Sequence, residues 1–188
     1  KAEQVKAAAR KSVGATFAAD ALAFEASRIA ALLGHLDEEV GALDKEIARL
    51  IDPEVSELLQ SIPGIGPVCA ATIAAEVGDP DRFESPRKLV AYSGMDAAKY
   101  QSGKFDGDGQ HMSKRGSAPL RDALMTAADR ARMHDPYFGD YYDSLRARGK
   151  HHYVAVSACG RKLCGVILAV LRERRPYESR PSVQSGTE

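Results

Sequence analysis

Ser102 is a candidate nucleophile that lies among cations. It stands in Lys99-Tyr100-Gln101-Ser102-Gly103, a short distance before Ser113-Lys114-Arg115-Gly116. Cations at the start of a helix oppose its dipole, so Lys114, Arg115 and Arg121, which begin a predicted helix, are better explained by facing an anion. A suitably activated serine hydroxyl can attack a phosphodiester. The alternative is a plain Ser-Gly turn without chemistry, and these residues alone favour it.

A turn rich in proline and glycine is the candidate binding element. Residues 62–67 read Ile-Pro-Gly-Ile-Gly-Pro, with a predicted helix on each side. Glycine lets the backbone approach a phosphate, and N–H groups at the positive end of the following helix bind it. This helix-hairpin-helix pattern predicts that Gly64, Ile65 and Gly66 contact a nucleic-acid backbone. The alternative is an ordinary helical turn, since Gly-x-Gly alone is a weak signal.

Other reactive groups lie beside Ser102. The phenol of Tyr100 is a second candidate nucleophile. A tyrosine nucleophile would need a cluster of Arg and His residues, and only His111 and Arg115 lie near Tyr100 in sequence to form one. A positioning or base-stacking role suits Tyr100 better. Asp106 and Asp108 also lie close in sequence. Their carboxylates would either repel a phosphate or bind a cation, and both options stay open.

Helices must position these groups, and the predicted fold class is all-α. Asp52 and Pro53 predict a helix start by capping and by proline at the first helical position, and Gly78 predicts a helix end. Residues 93–116 are polar and rich in glycine, which predicts an irregular functional segment. The helices predicted after the break are 53–60, 67–77, 83–92, 117–133, 137–147 and 154–175.

Residues 1–51 predict a long coiled-coil helix, because apolar residues recur at alternating spacings of four and three. Branched residues at heptad position a with Leu at d favour two strands. Acidic flanks would repel, but each such contact costs only a few tenths of a kcal/mol, whereas each buried Leu or Ile contributes about 1.5–3. We expect a homo-oligomer, dimer or higher, through residues 19–50, although a basic partner surface would fit better and packing on the chain's own domain is the alternative. The seam consists of Ile29, Leu33, Leu36, Val40, Leu43, Ile47 and Leu50.

The predicted organisation is a dimerisation helix over 1–51, a helix-hairpin-helix domain over 52–178 and a disordered polar tail over 179–188. The net charge is zero. Residues 1–81, however, hold seven Lys and Arg against fourteen Asp and Glu, a charge of −7, and residues 82–188 hold nineteen against twelve, a charge of +7. This asymmetry favours a polyanion bound by the C-terminal part, with solubility as an equal explanation.

Targeting and metal signals are weak. No apolar run approaches the roughly 18 residues of a membrane span, and the first residues lack a signal-peptide pattern, so we expect a soluble cytoplasmic protein whose chain begins mid-protein. Cys69, Cys159 and Cys164 are predicted to be free core thiols. Zinc-finger spacing is absent, so no metal site is predicted, and His151-His152 is predicted to be a solvated loop pair.

The ordered set of segments resembles the C-terminal transposase domain of the DEDD-type insertion-sequence recombinases, the insertion-sequence family one-hundred-and-ten. The resemblance covers about residues 53–177. After the coiled-coil segment it rests on Ser61-Ile62-Pro63-Gly64-Ile65-Gly66, Asp81-Arg82-Phe83, Ala91-Tyr92-Ser93-Gly94, Gln101-Ser102-Gly103, Ser113-Lys114-Arg115-Gly116 and Leu120-Arg121.

This resemblance implies a cut-and-rejoin DNA recombinase guided by a bridge RNA. Ser102 matches the family's serine nucleophile, whose attack would give a covalent phosphoserine link. Lys104, Lys114 and Arg115 are the nearby cations that would stabilise the transition state. The family's acidic tetrad and its Mg²⁺ belong to an N-terminal nuclease domain, for which this chain has no matching segment. We therefore expect no cofactor in this fragment and no DNA cleavage by it alone.

A different class of function remains as the alternative. A non-catalytic helix-hairpin-helix module would bind DNA or RNA backbone with Ser102 incidental, and a coiled-coil assembly subunit would use its basic face for solubility alone. Binding to phosphates must weaken steeply as salt rises, so salt dependence separates these two possibilities. The recombinase interpretation predicts a bacterial cytoplasmic location at the nucleoid.

Overall fold

The computed structural model describes residues 2–11, 18–97 and 111–179, together with the backbone of 101–102 and 105–106. It is helical, as predicted, apart from one antiparallel pair of two-residue strands inside the segment predicted to be irregular. Contacts divide the chain into two units, 1–46 and 47–188. The elements are α1 Ala2–Lys11, α2 Ala19–Leu50, α3 Pro53–Gln60, α4 Pro67–Val77, a 3₁₀ turn Pro80–Arg82, α5 Pro86–Tyr92, β1 Gln101–Ser102, β2 Phe105–Asp106, α6 Ala118–His134, α7 Pro136–Ala147 and α8 His152–Glu173.

The first unit consists of α1 and most of α2. The predicted long helix is therefore described as two helices, with residues 12–17 of that prediction outside the described residues. Helix α2 has no buried residue. Its predicted seam positions Leu36, Val40 and Leu43 are 49%, 56% and 62% exposed. The apolar stripe is thus open to solvent along most of this helix, with Ile47 half-buried, and its partner stays a prediction.

The second unit is built around α8. This helix packs against α6, α7, α5 and α3, and its side chains at Leu163, Ile167 and Leu168 are buried. The inner face predicted for α6 is confirmed, because Leu120, Leu124 and the following small residues Ala127, Ala128 and Ala131 are fully buried. Small side chains along α6 let neighbouring helices approach it closely.

Local signals fixed most helix starts. The Asp52 carboxylate accepts a hydrogen bond from the Glu54 N–H at 2.9 Å, and the Ser117 hydroxyl accepts from the Leu120 N–H at 3.1 Å. For the helix predicted over 83–92, Ser85 is the N-cap and Pro86 the first helical residue, as its capping signal predicts. Phe83 follows the 3₁₀ turn and is buried in the core. Asp135 caps α7 through the N–H groups of Tyr137 and Phe138, a start that the sequence analysis did not assign to it.

One expectation about membranes needs correction. Among the described residues, α8 is long and apolar enough to cross a membrane by length and composition. In this fold 67% of its most apolar stretch is buried against protein. The hydropathy of α8 is accounted for by its place at the centre of the core.

The three cysteines are free, as predicted. Cys159 and Cys164 are buried, whereas Cys69 is only half-buried on α4. Burial raises the pKa of Cys159 to about 11 and the pKa of Cys164 to about 12. Both core thiols are therefore protonated and unreactive near neutral pH.

Candidate nucleic-acid site

The turn between α3 and α4 is anchored by two isoleucines. The Ile62 N–H donates to the Leu59 carbonyl and the Ile65 N–H donates to the Ile62 carbonyl, each at 3.1 Å. Both side chains are buried. Residues 61–66 thus form a tight connection that is held to the core by the side chains of Ile62 and Ile65.

The two glycines of this turn have different environments. Gly64 has φ +94°, and a Cβ there would lie 2.5 Å from the Ala127 carbonyl oxygen and 2.6 Å from the Ala131 nitrogen, both in α6. Gly66 is exposed, has φ −92°, and a Cβ there would meet nothing within 4 Å. Gly64 therefore serves helix packing, and Gly66 is the glycine whose α-carbon faces open space.

The N-terminus of α4 is open. Gly66 is its N-cap and supplies no side-chain cap, Pro67 occupies the first helical position, and the first turn contains no acidic residue. The first N–H groups of a helix have no partner within the helix. Because Gly66, Pro67 and Val68 are exposed, the positive end of the helix dipole faces solvent, which suits a phosphate.

Residues 92–97 and 112–117 form a structure that we call the clamp. The Ser113 N–H donates to the Asp96 carbonyl at 2.8 Å, the Lys114 N–H to the Gly94 carbonyl at 3.0 Å, and the Ser117 N–H to the Tyr92 carbonyl at 2.8 Å. Ala97 and Met112 form an antiparallel bridge. The clamp holds together both ends of the segment that contains Ser102.

Gly116 and three polar side chains close the clamp. A Cβ on Gly116 would overlap the Tyr92 carbonyl and lie 2.7 Å from the Gly94 nitrogen. The Ser113 hydroxyl donates to the Asp96 carboxylate. Arg121 Nη1 donates to the Ser93 carbonyl at 3.1 Å. Such close backbone contact admits no side chain at residue 116, so the Gly in Ser-Lys-Arg-Gly has a packing role.

Strands β1 and β2 carry the candidate nucleophile. Ser102 is paired with Phe105, and Gln101 with Asp106, in antiparallel register. Ser102 thus lies in a β-hairpin that falls, in sequence, between the two halves of the clamp. Lys104, Tyr100 and Asp108 lie outside the described residues, so the roles predicted for them stay predictions.

The predicted cations divide into two groups. Lys114 and Arg115 are exposed, and no ion pair involving either is seen among the described residues. Arg121 is half-buried and bonded within the clamp. Lys114 also has φ +54°, a backbone conformation that costs a non-glycine residue about 1–2 kcal/mol. Because the fold holds Lys114 in this costly conformation beside Arg115, Lys114 remains a candidate anion contact.

Sequence reasoning missed several contacts that position the site. Arg82 lies against the rings of Phe83 and Tyr92, 4.7 and 4.8 Å from their centroids. His151 is the N-cap of α8, and His152 Nδ1 lies 2.8 Å from the Tyr142 hydroxyl. His151 is exposed and lies just before α8, in agreement with the predicted loop, whereas half-buried His152 is the first residue of the helix. The Tyr142 contact is formed only by folding, and histidine is not among the residue types that signal an N-cap.

The described residues do not fit a metal centre. No cluster of three or more His, Cys, Asp or Glu side chains occurs within them. The carboxylate of Asp96, in the clamp, accepts a hydrogen bond from the Ser113 hydroxyl.

Comparison with known proteins gives a consistent family signal. Residues 56–143 match a family model described as the transposase IS116/IS110/IS902 family. The chain is 33% identical over 153 residues to an uncharacterised 43.6 kDa protein of insertion element IS110 from Streptomyces coelicolor, covering 81% of this chain and 38% of the relative. It is 30% identical to an insertion element IS116 protein of Streptomyces clavuligerus, covering 79% and 37%. It is also 30% identical to a pilin gene-inverting protein of Moraxella bovis, covering 78% and 47%. The chain spans less than half the length of these relatives.

Proposed function

We propose that this chain is the nucleophile-bearing part of a DNA recombinase, because residues 56–143 match the model of the IS116/IS110/IS902 transposase family. The observation that carries the proposal is the extent of the family match, which includes both the α3–α4 turn and the Ser102 hairpin. One relative is named as a protein of an insertion element and another as a pilin gene-inverting protein, and both names refer to rearranged DNA. DNA is accordingly the proposed substrate.

The α3–α4 turn is the proposed backbone-binding element. Its support is the open N-terminus of α4, with Gly66 exposed and without a side-chain cap. A phosphate there would accept hydrogen bonds from the first-turn N–H groups and would be stabilised by the helix dipole. Such contacts carry no base information, so the turn would position the duplex and leave sequence choice to another part of the assembly.

Ser102 is the proposed nucleophile. Its oxygen would form a bond to phosphorus, and the leaving strand's oxygen would take the bonding electron pair and a proton. Attack by a second strand end on the phosphoserine would then restore the serine hydroxyl and rejoin DNA. Lys114 and Arg115, and Lys104 by its sequence position, would offset the charge that develops at phosphorus. Arg121 is assigned to positioning, because it bonds to Ser93 inside the clamp.

The remaining parts of the reaction are assigned to the longer protein. Mg²⁺ and an acidic tetrad would belong to an N-terminal nuclease domain outside this chain, and a guide RNA would select the DNA sites. Residues 19–50 would bring subunits together through the exposed seam of α2. The proposed location is the bacterial cytoplasm, at the nucleoid.

The test is a search for a covalent protein–DNA adduct on denaturing gels, using the longer protein with RNA, Mg²⁺ and DNA ends. We expect the adduct with the unchanged protein and its loss in Ser102→Ala. Ser144→Ala is the matched control, since its hydroxyl bonds only locally to the Tyr141 carbonyl on α7. Loss of the adduct in Tyr100→Phe, with retention in Ser102→Ala, would assign the nucleophile to Tyr100.

One observation favours a second candidate, a non-catalytic module that binds DNA or RNA backbone. The open α4 N-terminus needs no nucleophile to bind phosphate. Under this alternative the protein binds DNA with strong salt dependence, yet no adduct forms under conditions in which DNA is bound.

A further inference from the structure

A groove beside the clamp has no role in the functions above. It has a volume of about 750 Å³ and lies between α5 and the first turns of α8, within the roughly 300–1,000 Å³ range of small-ligand sites. Ala97 and Met112 form a bridge and both line the groove. The segment that carries Ser102 lies between these two residues in sequence, so the groove contacts both ends of that segment.

The groove has an apolar interior and an exposed aromatic residue. Val90, Met95 and Met112 line it, and Met95 is fully buried. Tyr153 also lines it and is 67% exposed. The Tyr153 ring stacks on His151 at 5.7 Å and 29° between planes, and it contacts His152 at 5.1 Å. Two neighbouring rings thus hold Tyr153 in place while much of its surface stays open for a further stacking partner.

The charges of the groove complement a phosphate. Arg87 and Arg161 line it. Arg161 is oriented by Ser157 Oγ at 3.1 Å and by the Met95 carbonyl at 3.4 Å, and Arg87 is exposed with no ion pair among the described residues. Asp96 supplies a carboxylate to the lining, but it accepts a hydrogen bond from Ser113. Apolar walls, an aromatic face and two arginines match a nucleotide, which offers a flat base and an anionic phosphate.

We infer that this groove holds one unpaired nucleotide of the DNA strand whose neighbouring phosphodiester meets Ser102. The base lies against Tyr153 and the apolar wall, and Arg87 and Arg161 face its phosphate. A base stacked within a duplex cannot enter such a groove, so the strand must be unpaired at this position. The inference rests on the proposed function and adds a requirement for a locally opened strand.

The test measures binding of the whole chain to two DNA octamers. One octamer is fully abasic, and the other is abasic except for a single 2-aminopurine, so any gain in affinity is due to that one base. We expect the base to raise affinity about 5- to 150-fold, the range for stacking of one base on an aromatic side chain, and 2-aminopurine fluorescence to be quenched. Tyr153→Ala should remove both effects and Tyr153→Phe should keep them.

Control variants separate stacking from charge. Met133→Ala removes a side chain of similar exposure outside the groove and should change nothing. Arg87→Gln and Arg161→Gln should weaken both octamers equally, because phosphate is common to them, whereas Arg10→Gln in α1 should not.

The outcomes distinguish this inference from the function beneath it. The groove assignment alone is overturned if the base adds as much affinity in Tyr153→Ala as in the unchanged protein. It is also overturned if the base adds no affinity in the unchanged protein while that protein still binds duplex DNA. Tighter binding of the matching RNA octamers than of DNA overturns the choice of DNA. If the unchanged protein binds neither octamer nor duplex, the DNA-binding function itself fails and the inference fails with it.

Discussion

Gly64 and Gly66 are two residues apart but have different structural roles. Gly64 has a positive φ and its α-carbon touches the α6 backbone, whereas Gly66 has ordinary extended geometry and open space. A methyl group at residue 64 meets backbone atoms that cannot rotate away. At residue 66 it meets only solvent or a bound ligand.

The first prediction follows from this contrast. Gly64→Ala should lower the free energy of unfolding by about 2–4 kcal/mol, through the cost of positive φ and of overpacking against α6. Gly66→Ala should lower it by about 1 kcal/mol at most, the loss of a favourable N-cap residue, but should weaken duplex DNA binding severalfold. Urea unfolding and fluorescence anisotropy measure the two effects. Equal losses of stability in both variants would contradict the assignment.

Lys114 gives a prediction in which stability and binding change in opposite directions. Lys114→Gly relieves the left-handed backbone at φ +54°, so the unfolding free energy should stay equal or rise by up to about 1 kcal/mol. DNA affinity should fall, and the slope of log K against log salt should shrink by about 0.9, the value for one lost phosphate contact. Arg115→Gln should reduce the slope similarly without changing stability.

Lys45→Gln serves as the matched control for these variants, because Lys45 lies in the first unit. Its slope should equal that of the unchanged protein. An undiminished slope in Lys114→Gly would remove Lys114 from the binding surface.

The buried thiols predict a pH dependence of stability. The ordinary pKa of a cysteine thiol is 9.0, so well below pH 9 Cys159 and Cys164 are protonated in both the folded and the unfolded chain. Between pH 9 and 11 the unfolded chain releases these protons while burial keeps them bound in the fold. Each thiol should therefore lower the unfolding free energy by about 1.4 kcal/mol per pH unit in this window.

Unfolding by urea at a series of pH values measures this decline. The double variant Cys159→Ala with Cys164→Ala should show a shallower decline of unfolding free energy with pH, because the two thiols no longer titrate. Some decline should remain, because tyrosine and lysine side chains still titrate. In the native protein at pH 8, a thiol reagent should modify half-buried Cys69 well before the other two. An unchanged slope in the double variant would show that the thiols do not set it.

At the level of elements, helices that depend on local signals were predictable from sequence. Asp52-Pro53 fixes the start of α3 and Ser117 the start of α6, because the capping side chain and the N–H groups it binds are neighbours in the chain. The clamp was not predictable in this way. It pairs residues about twenty positions apart through backbone groups, and neither Gly94 nor Gly116 reveals its partner by periodicity.

The same limit applies to the candidate site. Residue type and family resemblance identify Ser102 and the cations as candidates. Only the fold distinguishes Arg121, which is bonded within the clamp, from the exposed Lys114 and Arg115. The groove beside Tyr153 joins α5, α8 and the clamp, so only the fold brings it together. Strands of two residues are too short to carry an alternation signal.

Helix α2 is expected to form the oligomer interface. Its seam is apolar at heptad spacing and exposed, so we expect it to pair with a second copy. Leu36→Glu with Leu43→Glu should place charges at two d positions and convert the dimer or higher oligomer to monomer. Ala31→Glu with Ala42→Glu adds the same charges away from the seam and should leave the mass unchanged. Sedimentation equilibrium decides, and a monomeric unchanged chain would refute self-association.

For the whole molecule, the division at residue 46 separates two kinds of interaction. Residues 47–188 contain α3 to α8 with the apolar core, while residues 1–46 contribute exposed helix. Lys114, Arg115 and the open end of α4 all belong to the second unit. Phosphate contacts should therefore belong to one unit and oligomerisation to the other, although both contribute to apparent affinity.

A chain of residues 47–188 tests this division. It should unfold cooperatively and be monomeric, because its core is its own and the α2 seam is largely removed. On a short duplex with room for one subunit, its salt slope should match that of the longer chain, since no phosphate contact is lost. On a duplex with two sites its apparent affinity should fall by about 10²-fold or more, as linked binding is lost. A smaller slope on the short duplex would instead mean that residues 1–46 themselves contact phosphate.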